Sequence, residues 1–74
     1  MPKLPRNFKA NDLVKILTKL GFSKKGQKGS HLKMVHPDGR WTTVPVHSKP
    51  ILTGTLKAIL RQSQVSIEEV LENS

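Results

Sequence analysis

The strongest constraint on the fold is a turn, Pro37-Asp38-Gly39, that follows a stretch of alternating residues. Residues 31–36 alternate with the period of a half-buried β-strand, and Gly39 suits the left-handed position of a three-residue hairpin loop. With that loop, Met34 lies opposite Thr42 and Leu32 lies opposite Val44. A register shift of one residue would turn these side chains to the other face. The sequence therefore predicts a hairpin whose second face carries His31, Lys33, Val35, Trp41, Thr43 and Pro45.

A helix is predicted before the hairpin. Its apolar stripe is formed by Leu13, Ile16, Leu17 and Leu20, which have the spacing of one helix face. The helix begins somewhere in residues 9–11 and ends at Gly21, which suits a left-handed position after the last turn. A short polar strand, residues 23–27, then leads to a turn at Lys28-Gly29.

Two further helices are predicted after the hairpin. Thr53 is a candidate N-cap for a helix with Leu56, Ile59 and Leu60 on its apolar face. Ser66 and Glu69 have the spacing of a capping box for a last short helix. The order α-β-β-β-α-α predicts one α+β domain over residues 1–74, with helices on one face of a three-stranded antiparallel sheet and the other face open.

The charge and composition of the chain limit the classes of molecule that it is expected to bind. The chain has 13 Lys and Arg against 5 Asp and Glu, which gives a net charge of +8. Such a field attracts nucleic acid or an acidic protein. The chain has no cysteine, which excludes disulfides and cysteine-ligated zinc. Because no stretch is long and apolar enough for a signal peptide or a membrane span, we expect a cytoplasmic protein that does not bind membranes.

His31 is the candidate for chemistry on a phosphodiester. Metal-dependent nucleases use clustered carboxylates, whereas Asp12 and Asp38 are isolated in the sequence, so we expect no metal and no cofactor. Without a metal, the practical nucleophile is the ribose 2′-hydroxyl, which restricts cleavage to RNA and excludes DNA. A histidine titrates near neutral pH and can transfer the proton. Spacing alone leaves open that His31 is a surface histidine without a role.

The other two histidines receive different interpretations. His36 shares a face with Leu32 and Met34, so it is expected at the edge of the core. His47 ends the third strand near the start of the second. It is either a second proton carrier or a structural residue of the loop before Pro50.

Several residues near His31 are candidates for substrate binding. Four lysines on and before the His31 strand form either a phosphate track or a solvated face. Trp41 on the same face either stacks a base or packs on lysine stems. The flexible Gly29-Ser30 pair leaves room for a substrate to approach. The candidate set is Lys24, Lys25, Lys28, Gly29, Ser30, Lys33, Trp41 and His47.

The chain resembles the HicA (YcfA-type) toxins of toxin–antitoxin pairs over nearly its entire length. The motifs that carry the resemblance, in order, are Leu20-Gly21-Phe22, Gly29-Ser30-His31, Pro37-Asp38-Gly39, Val44-Pro45-Val46-His47, Gly54-Thr55-Leu56 and Ile59-Leu60-Arg61-Gln62. The resemblance implies a fold like a double-stranded-RNA-binding domain and an mRNA interferase activity. It also implies that His31 is catalytic and that the partners are mRNA and a HicB antitoxin.

The chain departs from the family pattern at three places. Gln62-Ser63-Gln64 stands where Ala-Gly is usual, Lys57 where arginine is common, and Lys9 in place of a small capping residue. None of these affects the Gly-Ser-His triplet. Two other functions remain open from the sequence: a non-catalytic RNA-binding module, and an adaptor that binds only an acidic protein.

Overall fold

Residues 8–74, which the structure describes, fold as three helices and a three-stranded antiparallel sheet. The structure is a computed structural model. Its elements are α1 (Ala10–Lys19), β1 (Ser23–Lys28), β2 (His31–Val35), β3 (Trp41–Pro45), α2 (Thr53–Ser63) and α3 (Ile67–Glu72). This order and the sheet order β1-β2-β3 confirm the predicted α+β class, an architecture like that of a double-stranded-RNA-binding domain.

The β2–β3 hairpin has the register predicted from the loop. Met34 pairs with Thr42, and Leu32 pairs with Val44. The His36 N–H donates to the Arg40 carbonyl at 2.8 Å and closes the loop, while Gly39 takes a φ of 100°. All four paired residues are buried, so the face that carries them is the core face.

The end of α1 fixes where the sheet begins. Gly21 has a φ of 100°, and the Phe22 N–H donates to the Leu17 carbonyl at 2.9 Å, as predicted for a left-handed glycine. A Cβ on Gly21 would lie 2.7 Å from His36 Nε2, so the glycine also makes room for that ring. His36 packs edge-on to Phe22 with the ring centroids 5.1 Å apart, which confirms its place at the edge of the core.

The first strand is exposed along its whole length. It ends at Lys28, so the turn to β2 consists of Gly29 and Ser30, one residue later than predicted. A bulge interrupts its pairing with β2 between Lys24 and Gly26. Lys25 is the extra residue, and it reverses the face on which the preceding residues of β1 lie.

One hydrophobic core lies between the helices and the inner face of the sheet. Its buried apolar residues are Phe8, Ala10, Leu13, Ile16, Leu17, Phe22, Leu32, Met34, Val44, Ile51, Leu56, Ile59, Leu60, Val65 and Val70. A single bridge that the sequence pattern did not predict joins Phe8 to Ile51, whose N–H donates to the Phe8 carbonyl at 2.8 Å. The outer face of the sheet carries none of these core residues.

The caps of α2 and α3 differ from one another. The predicted N-cap of α2, Thr53, is wrong by one residue: Leu52 is the N-cap, and its side chain makes no capping hydrogen bond. The Leu52 carbonyl accepts the first helical bond, from the Leu56 N–H at 2.8 Å, so Thr53 is already helical. The predicted capping box of α3 is confirmed, with Glu69 N–H donating to Ser66 Oγ at 3.1 Å.

Candidate functional site

An open cavity of about 310 Å³ lies on the outer face of the sheet beside His31. Strands β1 and β2 supply most of its wall and β3 supplies one residue. Its lining residues are Lys25, Gly26, Gln27, Lys28, His31, Lys33 and Thr43. The predicted grouping of His31 with three of the four lysines is therefore present in the structure.

His31 begins β2 and lies between its two strand partners, Lys28 on β1 and Pro45 on β3. The side chain is exposed, and no other side chain or backbone group of residues 8–74 makes a hydrogen bond or ion pair with it. Neither ring nitrogen therefore has a hydrogen-bond partner among residues 8–74. An imidazole in this position can give or accept a proton from a bound molecule.

The cavity is electrostatically positive. Lys25, Lys28 and Lys33 line it, and no carboxylate is among its lining residues. The nearest acidic residue along the β2–β3 hairpin, Asp38, is paired with Arg40 at 2.7 Å on the loop at the far end of these strands. Three ammonium groups around one imidazole suit an anionic ligand such as a phosphodiester.

Gly29 and Ser30 form the turn that presents His31. Gly29 has a φ of 60° and open space around its Cα, so no side chain obstructs the approach from this side. The Gly29 carbonyl accepts a hydrogen bond from Gln27 Nε2 at 2.9 Å, and the Ser30 carbonyl accepts one from the Val46 N–H at 2.6 Å. These bonds connect the turn to β1 and to the end of β3, which fixes the start of β2.

Lys24 is separated from the other three lysines. It pairs with Met34, whose side chain is in the core, and it does not line the cavity. The bulge at Lys25 is the reason, because strict alternation is interrupted there. The sequence offers only a weak signal for the bulge, the glycine at position 26.

Trp41 and His47 lie outside the cavity at opposite ends of β3. The Trp41 side chain is exposed, and Lys33 Nζ lies 4.9 Å from its ring centroid. His47 lines a second cavity of about 330 Å³ with Pro45, Lys49, Pro50, Ile51, Leu52 and Thr55. Pro45, which lines this second cavity, is the strand partner of His31 on β3.

The sequence interpretation missed three residues of the His31 cavity: Gly26, Gln27 and Thr43. Thr43 was placed on the outer face by the hairpin register, and its position opposite Lys33 was the signal that could have identified it. Gly26 also pairs with Lys33, but that pairing depends on the bulge.

The hairpin loop holds an ion pair between Asp38 and Arg40. The Arg40 N–H donates to Asp38 Oδ1 at 3.0 Å, and Arg40 Nε donates to Oδ2 at 2.7 Å. The backbone hydrogen bond first, and then the guanidinium, lower the pKa of Asp38 below its ordinary value. Arg40 Nη1 also donates to the Ser63 carbonyl at 3.2 Å, which connects the loop to the end of α2.

Residues 8–74 lack two features that would point to other classes of site. No group of three or more His, Asp or Glu side chains in this part of the chain is arranged to hold a metal ion. None of the helices described has the length and hydropathy needed to cross a bilayer.

Comparison with known protein families identifies one family that matches most of the chain. The family described as "HicA toxin of bacterial toxin-antitoxin" matches residues 10–65, which is more than half of the sequence. The chain belongs to the HicA toxin family. The match begins at the first residue of α1 and ends two residues after α2, so it includes the whole sheet and the His31 cavity. A search of curated proteins finds no match.

Family membership determines the biological class of this HicA protein. It is the toxin of a toxin–antitoxin system, and such a toxin has an antitoxin partner. The outer face of the sheet is basic around the cavity, where Lys25, Lys28 and Lys33 lie. The lysines there are available to a nucleic acid or to an acidic protein surface.

Proposed function

We propose that this HicA toxin is a metal-independent endoribonuclease that cleaves mRNA, with His31 as its catalytic residue. The observation that carries the proposal is an exposed imidazole in a cavity whose other charged lining residues are lysines. Lysines supply charge for the phosphate, and RNA itself supplies the nucleophile. The toxin class agrees with this activity, since loss of mRNA arrests growth.

The chemical step follows from these two groups. The His31 imidazole accepts the proton of a ribose 2′-hydroxyl while its oxygen bonds to the adjacent phosphorus. The bond from phosphorus to the 5′ oxygen breaks, and that oxygen takes a proton from the imidazolium or from water. A well-placed general base contributes about 10²–10⁴-fold, and fixed ammonium groups stabilise the charge on the phosphorane.

The remaining predicted residues bind the RNA on either side of this step. Lys25, Lys28 and Lys33 contact phosphates in the cavity, while Gly29 and Ser30 keep its entrance open. Trp41 and His47 extend the contact beyond each end of the cavity, and Lys24 contributes from the edge of the sheet. This arrangement excludes DNA as a substrate because DNA lacks the 2′-hydroxyl.

The same face is the proposed binding surface of a HicB-type antitoxin. A chain with a net charge of +8 attracts an acidic partner. A protein that covers the lysines around His31 would also prevent RNA from binding to them. With mRNA as substrate and an antitoxin as partner, we place the toxin in the cytoplasm.

Cleavage of labelled RNA by purified, chelator-treated protein tests the proposal. We expect shorter products from the unmodified protein and a loss of at least about 10²-fold in His31→Ala, because the proton acceptor is gone. His47→Ala is the matched control, since it removes an exposed imidazole from the neighbouring cavity. We expect it to weaken RNA binding but to retain cleavage at saturating RNA.

Three results would contradict the proposal. Full cleavage by His31→Ala would remove the catalytic role of this residue. Cleavage of a substrate with 2′-deoxyribose at every position would exclude the 2′-hydroxyl as nucleophile. Bound RNA that yields no shorter products would favour the non-catalytic RNA-binding module.

A further inference from the structure

Trp41 is an exposed indole on a surface that does not need it for the core. It is the only tryptophan of the chain and the first residue of β3. Its relative exposure is 44%, although Lys33 Nζ lies 4.9 Å from its ring centroid. Indole surface therefore remains available to a further group after the lysine has packed on it.

The register places Trp41 at a fixed distance from His31. His31 pairs with Pro45, Lys33 pairs with Thr43, and Val35 pairs with Trp41. Residues on one face of a strand repeat every two positions, so the Trp41 row lies about 13 Å along the sheet from the His31 row. The bases and phosphates of a strand crossing the cavity would reach this row.

Lys33 connects the two positions. It lines the His31 cavity, and its ammonium group also lies over the Trp41 ring. An imidazole, an ammonium and an indole therefore follow one another along one face of the hairpin. This is the combination that proteins use for single strands, in which cations contact the backbone and an aromatic ring stacks on a base.

We infer that Trp41 stacks on an unpaired base of the substrate, with Lys33 on a phosphate between that base and the bond at His31. The inference rests on the proposed function and names its substrate class as single-stranded RNA. In a duplex both faces of each base are covered by neighbouring base pairs. An indole on an open sheet has no access to them unless the strand is unpaired.

The single tryptophan provides the test, because its fluorescence reports on one site. The protein is His31→Ala, so that the RNA stays intact, and the probes are a short mixed-sequence RNA strand and the same strand annealed to its complement. We expect the single strand to quench the Trp41 fluorescence on binding. We expect the duplex to bind more weakly and to leave the emission unchanged.

Two substitutions in the same His31→Ala background separate stacking from charge. Trp41→Ala removes the aromatic surface, and we expect it to weaken single-strand binding by about 5- to 150-fold, the range for loss of one stacked base. Trp41→Phe retains an aromatic ring and is expected to restore most of the affinity. Because Trp41 is exposed, both variants should keep the fold, which circular dichroism checks.

The outcomes distinguish this inference from the proposed function. If RNA binds without quenching, or if Trp41→Ala binds as tightly as its parent, the stacking role is wrong while cleavage at His31 stands. Equal binding and quenching by the duplex would overturn the single-strand class. If neither RNA binds, and the unmodified protein cleaves none, the proposed function itself fails.

Discussion

At the scale of single residues, Gln64 adopts a backbone conformation that lowers the stability of the folded protein. It follows α2 with a left-handed backbone, at φ 57° and ψ 38°. A Cβ is unfavourable in this conformation, whereas glycine adopts it without a clash. We expect Gln64→Gly to raise the free energy of unfolding by about 0.5–1 kcal/mol, measured by urea denaturation.

Gln64→Ala is the control for this prediction. Alanine keeps the Cβ and therefore the unfavourable left-handed conformation. We expect Gln64→Ala to leave the free energy of unfolding unchanged. The Arg40 hydrogen bond to the Gln64 carbonyl, at 3.4 Å, uses only backbone atoms of Gln64 and survives both substitutions. An equal rise in both variants would show that the glutamine side chain, and not the conformation, is the source of the cost.

At the scale of elements, the β2–β3 hairpin depends on pH through Asp38. Hydrogen bonds from Arg40, with attraction to His36 in addition, lower the folded-state pKa of Asp38 below its unfolded value of about 3.9. The charged carboxylate therefore stabilises the fold above that value. The contribution is lost as the pH falls through the lower, folded-state pKa.

Asp38→Asn tests this linkage. The amide keeps an oxygen that can accept the Arg40 N–H but removes the charge. We expect the variant to be less stable than the unmodified protein at pH 7. The difference should begin to shrink below about pH 4, where the carboxyl of the unfolded chain takes up a proton, and should shrink further as the pH falls through the lower pKa of Asp38 in the folded protein. Thermal unfolding at pH 7 and pH 3 measures both differences. A difference that stays constant between these values would show that the charge does not contribute.

The elements also show which parts of the fold were predictable. The hairpin register, the end of α1 and the capping box of α3 were confirmed because each depends on a few neighbouring residues with definite backbone requirements. The Phe8–Ile51 bridge was missed because it joins segments far apart in the sequence. The start of α2 was misplaced because Leu52 caps it without a side-chain hydrogen bond.

The candidate site was predictable to a similar extent. Lys25, Lys28 and Lys33 line the cavity with His31 because they lie on adjacent strands close to one turn. Lys24 departs from this group because a bulge, which alternation does not predict, changes its face. His47 lies in a separate cavity. The sequence did not predict this position, because no local pattern sets the path of the chain after β3.

At the scale of the whole molecule, the net charge of +8 should control RNA affinity through salt. Each phosphate neutralised on a single strand releases a counterion and contributes about −0.7 to the slope of log affinity against log salt. If about five phosphates are contacted, the slope is about −3.5. Titration of His31→Ala with labelled single-stranded RNA at several salt concentrations measures it.

Substitution of two lysines, one beside the His31 cavity and one on α1, tests which surface contacts the RNA phosphates. Lys28 lines the cavity, and we expect Lys28→Gln, in the His31→Ala background, to reduce the slope by about 0.7. Lys15 is exposed on α1, away from the open face, and Lys15→Gln should leave the slope unchanged. A slope near zero in the parent would mean that the basic face serves an acidic protein. Equal effects of the two substitutions would mean that the RNA follows the overall charge and not the His31 face.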